Sequence, residues 1–248
     1  MQAGLRLPGR EAGAEMAHLA DMNWMQVEDY LKSDNRLVLI IGACEQHGYL
    51  SLLSDIRVPE MVAAEASRRT GVLVAPAMPF GHSSFFAAYP GTLSVSMPTL
   101  IAVVRDVIQA AYQQGFRGIL VTTGHGGNFP VWTVLGELVS ELPGLRIDLR
   151  AWWETPPVEA VLKRHGLKVF HAGGAEAFPF NRVAPLPDGV KAEVPDQGIL
   201  TPADLRRLAG DGVFGGPYVF PEPVYGELLE AAVHDCVERL ERLKSAAS

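Results

Sequence analysis

Cysteine is scarce in these 248 residues. Cys44 and Cys236 stand alone, too few for the disulfide framework of a small secreted domain and in keeping with a reducing cytoplasm. A basic stripe is missing as well. The 21 Lys and Arg are scattered among 28 Asp and Glu, for a net charge of −7, so no positive face is offered to a phosphate backbone and nucleic acid is excluded as a partner. Long apolar runs are also lacking. The longest, near 37–41 and 118–121, fall far short of the roughly 20 residues that a membrane span needs. Residues 1–15 carry Arg and Gly but no apolar h-region, so they read as a flexible leader and not as a secretory signal. With 48% of its positions apolar, the chain has material for a large core, and its length fits one α/β domain over 1–248.

Short β-rich runs alternate with amphipathic stretches. NWMQVEDYL predicts a helix before the strand LVLII at 37–41, and VLVAP at 72–76 predicts a second strand. Between them, Pro59 and Gly71 bracket a helix in the proline-in, glycine-out sense. A further helix is predicted over 98–115, where Ile101, Val104, Ile108 and Ala111 recur at spacings of three and four before the strand GILVTT. PVWTVLGELVSEL and LRIDLRAWW repeat the unit. The alternation predicts a three-layer α/β/α fold, a mostly parallel sheet covered by helices on both faces. From 178 to 225 the sequence turns proline- and glycine-rich and reads as an extended loop of the kind that covers sites or contacts. VYGELLEAAVHDCVERLERLKS closes the chain as a helix.

Three clusters concentrate the polar chemistry: CEQHG at 44–48 with Asp55 beyond it, TGHGGN at 123–128, and HAGGAE at 171–176. The first two follow predicted parallel strands, the end of an open α/β sheet where ligands bind. Glu45 and His47 are two residues apart, so on extended backbone both side chains leave one face. Asp55 can return to that volume as a carboxylate able to bridge two cations, and His125 approaches from the neighbouring strand end. The plainer reading of any one cluster is a surface pair beside a tight glycine turn. Consecutive glycine amides also form anion nests, but GHGGN lacks the lysine of a P-loop. His82 is a further pocket candidate, as are Trp152 and Trp153, and Phe85, Phe86 and Tyr89 before Pro90. Cys44, alternating with its neighbours, is expected to pack into the core.

In combination and order, these motifs resemble the creatininase (creatinine amidohydrolase) family: EQHG followed by an aspartate, Phe80-Gly81 with Pro90-Gly91-Thr92, GHGGN, HAG with Glu176 three residues on, and GVFGGP at 212–217. The resemblance covers about 37–217. It implies an α/β/α fold, a divalent metal centre of Zn, Mn or Fe with two ions per chain, hydrolysis of a non-peptide or cyclic amide, and a homo-oligomer, commonly a hexamer. Carried over, Glu45, Asp55 and His125 hold one metal, and His47 with the shared Asp55 holds the second. Creatinine-hydrolysing members resemble one another in taking a further glutamate from the position that is Gly127 here, which leaves Glu176 as the substitute, as ligand or as acid and base. His171 is then a proton donor or substrate contact. Ala177-Phe178 replaces the family's Thr-Ser. These departures set the substrate apart from creatinine. A deformylase or peptide-processing hydrolase is the alternative within enzymes, and a metal- or ligand-binding subunit without turnover the alternative outside them.

Overall fold

The sheet is built from the buried apolar runs. In the computed structural model, which describes residues 16–244, β1 (Arg36–Ile41), β2 (Leu73–Val74), β3 (Gly118–Thr123) and β4 (Arg146–Ala151) form a parallel sheet in the order β2-β1-β3-β4. All six positions of β1 and of β3 are buried, as expected of central parallel strands covered on both faces. Their register pairs Leu37 with Ile119 and Ile41 with Thr123. The ends of the two strands are therefore level, and the loops that leave them start side by side.

Alternation along β1 divides the core. Val38 and Ile40 face one side with helices α2 (Ser54–Thr70), α5 (Pro156–His165) and α7 (Glu222–Arg242). Leu37, Leu39 and Ile41 face the other with α1 (Trp24–Leu31), α3 (Met97–Gln114) and α4 (Trp132–Glu141). The three-layer expectation is thus met. Helix α3 shows how local sequence sets an element: Ser96 caps it by accepting from Thr99 N, Leu100, Val104 and Ile108 bury one face, and Gly115 ends it at a φ of 114°.

Three expectations need correction. Helix α2 begins at Ser54 instead of Pro59, which lies inside it. Ile56, Val58 and Val62 bury against the core, and that packing outweighs the break that Pro59 favours. The stretch 178–225 is not loop throughout, for it holds α6 (Pro202–Ala209), capped by Thr201, and the antiparallel pair β5 (Val190–Lys191) and β6 (Gly216–Pro217). Cys44 stays half-buried beside Gly91 O and lies outside the core clusters. The leader reading of residues 1–15 falls outside the described residues, within which no helix is long and apolar enough to cross a membrane.

Candidate metal centre

Glu45 and His47 leave the chain just beyond β1. Cys44 bridges to Leu93, Glu45 N donates to Leu52 O, and Leu50 N donates to His47 O, so the segment is tied on both sides. His125 follows β3, its N–H held by Thr123 Oγ1 at 3.0 Å. Asn128 stitches the two strand ends together. Its Nδ2 donates to Ile41 O and Gly42 O, and its Oδ1 accepts from His82 N. Asp55 comes from the first turn of α2, where the positive end of the helix dipole favours a carboxylate. Close approach of that turn depends on two glycines. A Cβ at Gly42 would lie 2.7 Å from Asp55 O, and one at Gly124 would strike the Asp55 main chain. Glu176 closes the site from a short helical turn, with Asn181 Nδ2 donating to its carbonyl and to Ser54 Oγ.

The five side chains form one buried cluster. Asp55 faces both ways, with Oδ1 3.1 Å from His47 Nε2 and Oδ2 3.2 Å from His125 Nδ1. Glu176 Oε2 is 3.7 Å from His47 Nε2, and Glu45 Oε2 is 3.4 Å from His125 Nδ1. Two triads result, Glu45 with Asp55 and His125, and His47 with Asp55 and Glu176, and the donor atoms within each lie within 4.8 Å of one another.

The outer nitrogen of each imidazole is held by the main chain: His47 Nδ1 donates to Glu45 O at 3.1 Å, and His125 Nε2 donates to His82 O at 2.8 Å. Both rings therefore turn their other nitrogen to the cluster, the orientation that outer hydrogen bonds impose on metal-ligating histidines. Both oxygens of Glu45, His47 Nε2 and Asp55 Oδ2 are buried without a hydrogen-bond partner. Orphaned atoms of this kind are costly unless a cation meets them, so the residues fit divalent metal.

Electrostatics point the same way. Burial pushes Glu45 up to about 7 despite His125, and it pushes Glu176 to about 7 despite His47. Against the burial that would raise it, His47 and His125 hold Asp55 well below the carboxylate range. Against the burial that would lower them, Asp55 and Glu176 lift His47 to about 10, and Asp55 and Glu45 lift His125 to about 9. Negative charge in excess is compensated here by protons or by cations.

A sequence model described as Creatininase, creatinine amidohydrolase, matches residues 20–240. The chain belongs to the creatininase family. Creatinine amidohydrolase of Pseudomonas putida is 30% identical over 117 residues, 44% of this chain, and the match spans only 45% of that protein's length. 3-Dehydro-scyllo-inosose hydrolase of Thermotoga maritima is 25% identical over 244 residues, 90% of this chain and 78% of the relative. A solved structure described as creatininase Mn superposes with a TM-score of 0.77 at 22% identity, over 92% of this chain and 98% of the other.

Against this creatininase frame, the residues read from sequence fall into two groups. Glu45, His47, Asp55, His125, His171 and Glu176 converge. His171 lies beside the cluster with Nδ1 3.7 Å from Glu45 Oε1, its ring stacked on Phe86 at 4.4 Å and edge-on to Phe214 at 5.1 Å. Burial, and then the charge of His47, hold its pKa well below the ordinary value. The side chain of His82 points elsewhere, to Val95 O and Ser84 Oγ, and only its carbonyl serves the site. Trp152 packs in the core. Gly127 is closed to any side chain, since a Cβ would collide with His125 Nε2 and His82 O.

Sequence reading missed Ser83, Gln46 and Asn128. Ser83 is buried with Oγ 3.3 Å from His125 Nε2. The available signal was adjacency, because each lies inside or next to a quoted motif.

Proposed function

We propose that this creatininase-family chain is a metal-dependent hydrolase of a C–N bond in a small non-peptide or cyclic amide other than creatinine. The carrying observation is the pair of buried triads that share Asp55 and leave four ligand atoms without hydrogen-bond partners. Glu45, Asp55 and His125 would hold one divalent ion, and His47, Asp55 and Glu176 the other, with Zn, Mn or Fe compatible with mixed imidazole and carboxylate ligation. When bound, such ions supply Lewis acidity and bring the pKa of a coordinated water near neutrality.

The chain's own residues then bind and orient. Main-chain carbonyls of Glu45 and His82 keep His47 and His125 aimed inward. Ala172 N holds Glu176 Oε2 at 2.7 Å, so this carboxylate stays directed at the cluster and serves as a ligand. His171, packed against Phe86 and Phe214, is placed to donate a hydrogen bond to the substrate at the leaving nitrogen or the carbonyl. A homo-oligomer, hexameric by family resemblance, and a cytoplasmic location complete the proposal.

The test is elemental analysis of protein expressed with Zn or Mn, followed by a panel of lactams, cyclic ureides and formamides with creatinine included. Two ions per chain and turnover of a panel member are expected, with creatinine slower than the roughly 10 per second of a typical enzyme. Less than a tenth of an equivalent of metal would overturn the reading. Full metal with no hydrolysis would favour a binding subunit.

A further inference from the structure

Gln46 lies between two members of the metal cluster in sequence but points away from them. Its side-chain Nε2 donates to Gly212 O at 3.0 Å, and its Oε1 accepts from Gly48 N at 3.0 Å. Those two main-chain partners fix which end of the amide is which. A flipped amide would set oxygen against the Gly212 carbonyl and NH2 against the Gly48 N–H. The late glycine loop is fitted to this side chain. Gly212 has a φ of 91°, and a Cβ there would overlap Gln46 Oε1. Asp211 braces the loop, accepting from Val213 N, from Tyr218 Oη at 3.0 Å and from Lys191.

The second hydrogen of the Gln46 amide faces His171 Nε2 at 2.8 Å. Because that end of Gln46 is a donor, His171 Nε2 must accept. Gln46 O also lies 3.1 Å from the same nitrogen, but a proton on Nε2 would be driven into the amide N–H. The proton of the neutral imidazole therefore sits on Nδ1, the atom 3.7 Å from Glu45 Oε1. His47 and His125 are arranged in the opposite sense, each giving its N–H to a main-chain carbonyl and turning its other nitrogen, the one a metal can take, inward.

The geometry points to Gln46 as a positioning residue that holds His171 as the Nδ1–H tautomer, so that this histidine presents a hydrogen-bond donor to the site and not a third imidazole ligand. The inference deepens the proposed function and rests on it for the use of that N–H as a hydrogen-bond donor. It excludes one geometrically available triad, Glu45 with His47 and His171, because a protonated Nδ1 cannot ligate.

Long-range 15N–1H NMR of 15N-histidine-labelled, zinc-loaded protein tests it directly. His171 among the seven histidines is assigned by loss of its signals in His171→Gln. The wild type is expected to show His171 protonated on Nδ1 and bare on Nε2. Gln46→Glu, whose carboxylate accepts but does not donate, is expected to move a proton to Nε2. Gln46→Leu should lower kcat roughly 10- to 100-fold, the usual effect of losing a partner that orients a site group, with KM and metal content changed less than about threefold. His171→Gln should retain two ions per chain. Nε2 protonation in the wild type would overturn the inference whether or not any variant folds, as would loss of an ion in His171→Gln. An Nδ1–H His171 in a protein that hydrolyses no amide would leave this inference standing and remove the proposed function.

Discussion

Glu176→Gln is the sharpest perturbation of the proposed centre. Glutamine keeps the length of the side chain and an oxygen to accept from Ala172 N, now 2.7 Å from Glu176 Oε2, so the turn at 174–176 and its brace by Asn181 should survive. What goes is one negative charge, 3.7 Å from His47 Nε2. At an effective dielectric near 20, a unit charge about 4 Å from another is worth about 4 kcal/mol, which corresponds to roughly a thousand-fold in affinity. The loss falls on one position only, since Glu45, Asp55 and His125 keep every ligand. Dialysis against a chelator series, with elemental analysis at each step, should show one ion leaving the variant at far lower chelator than the other, and wild type keeping both. Asp55→Asn is the control, and both ions should weaken together because Asp55 belongs to both triads. Unchanged stoichiometry and chelator resistance in Glu176→Gln would refute Glu176 as a ligand. If turnover is lost all the same, the residue acts as acid or base.

Two further predictions concern the packing of the fold. Gly124→Ala should destabilise by about 2–3 kcal/mol, because its Cβ meets the Asp55 main chain and not a yielding side chain. That lowers Tm by roughly 4–12 °C for a chain of this size. Gly136→Ala, in helix α4 with open space around it, should be neutral or stabilising by up to about 1 kcal/mol. Equal effects in thermal unfolding would refute the packing argument. Arg239→Met removes the cation that pairs with Asp235 and Asp148, each at 2.5 Å. The carboxylates left behind should cost about 3–5 kcal/mol in urea unfolding; a loss below about 1 kcal/mol would count against a structural role for the pair.

Much of the molecule was legible in the residues themselves. Apolar runs bounded by glycine and proline announced the parallel strands, spacings of three and four announced α3, and histidines and carboxylates placed just after strands announced a site, because these signals are local. The order and combination of EQHG, GHGGN and HAGGAE carried the family. Other features were decided by contacts between distant segments. Helix α2 starts ahead of Pro59 because burial of Ile56, Val58 and Val62 overrides a local preference. Glu176 joins His47 across 129 positions of sequence because the turns at 47–54 and 174–181 are tied by Asn181. Gly127 reads from sequence as a missing carboxylate, yet only packing shows that no side chain fits there. Likewise, Gln46 sits unremarked inside its motif until Gly212, 166 residues away, fixes the sense of its amide. Residue type and local spacing determined which chemistry was available. The tertiary structure decided which nitrogen, which oxygen and which glycine took part, since hydrogen-bond polarity and close approach depend on partners that the chain brings from far away.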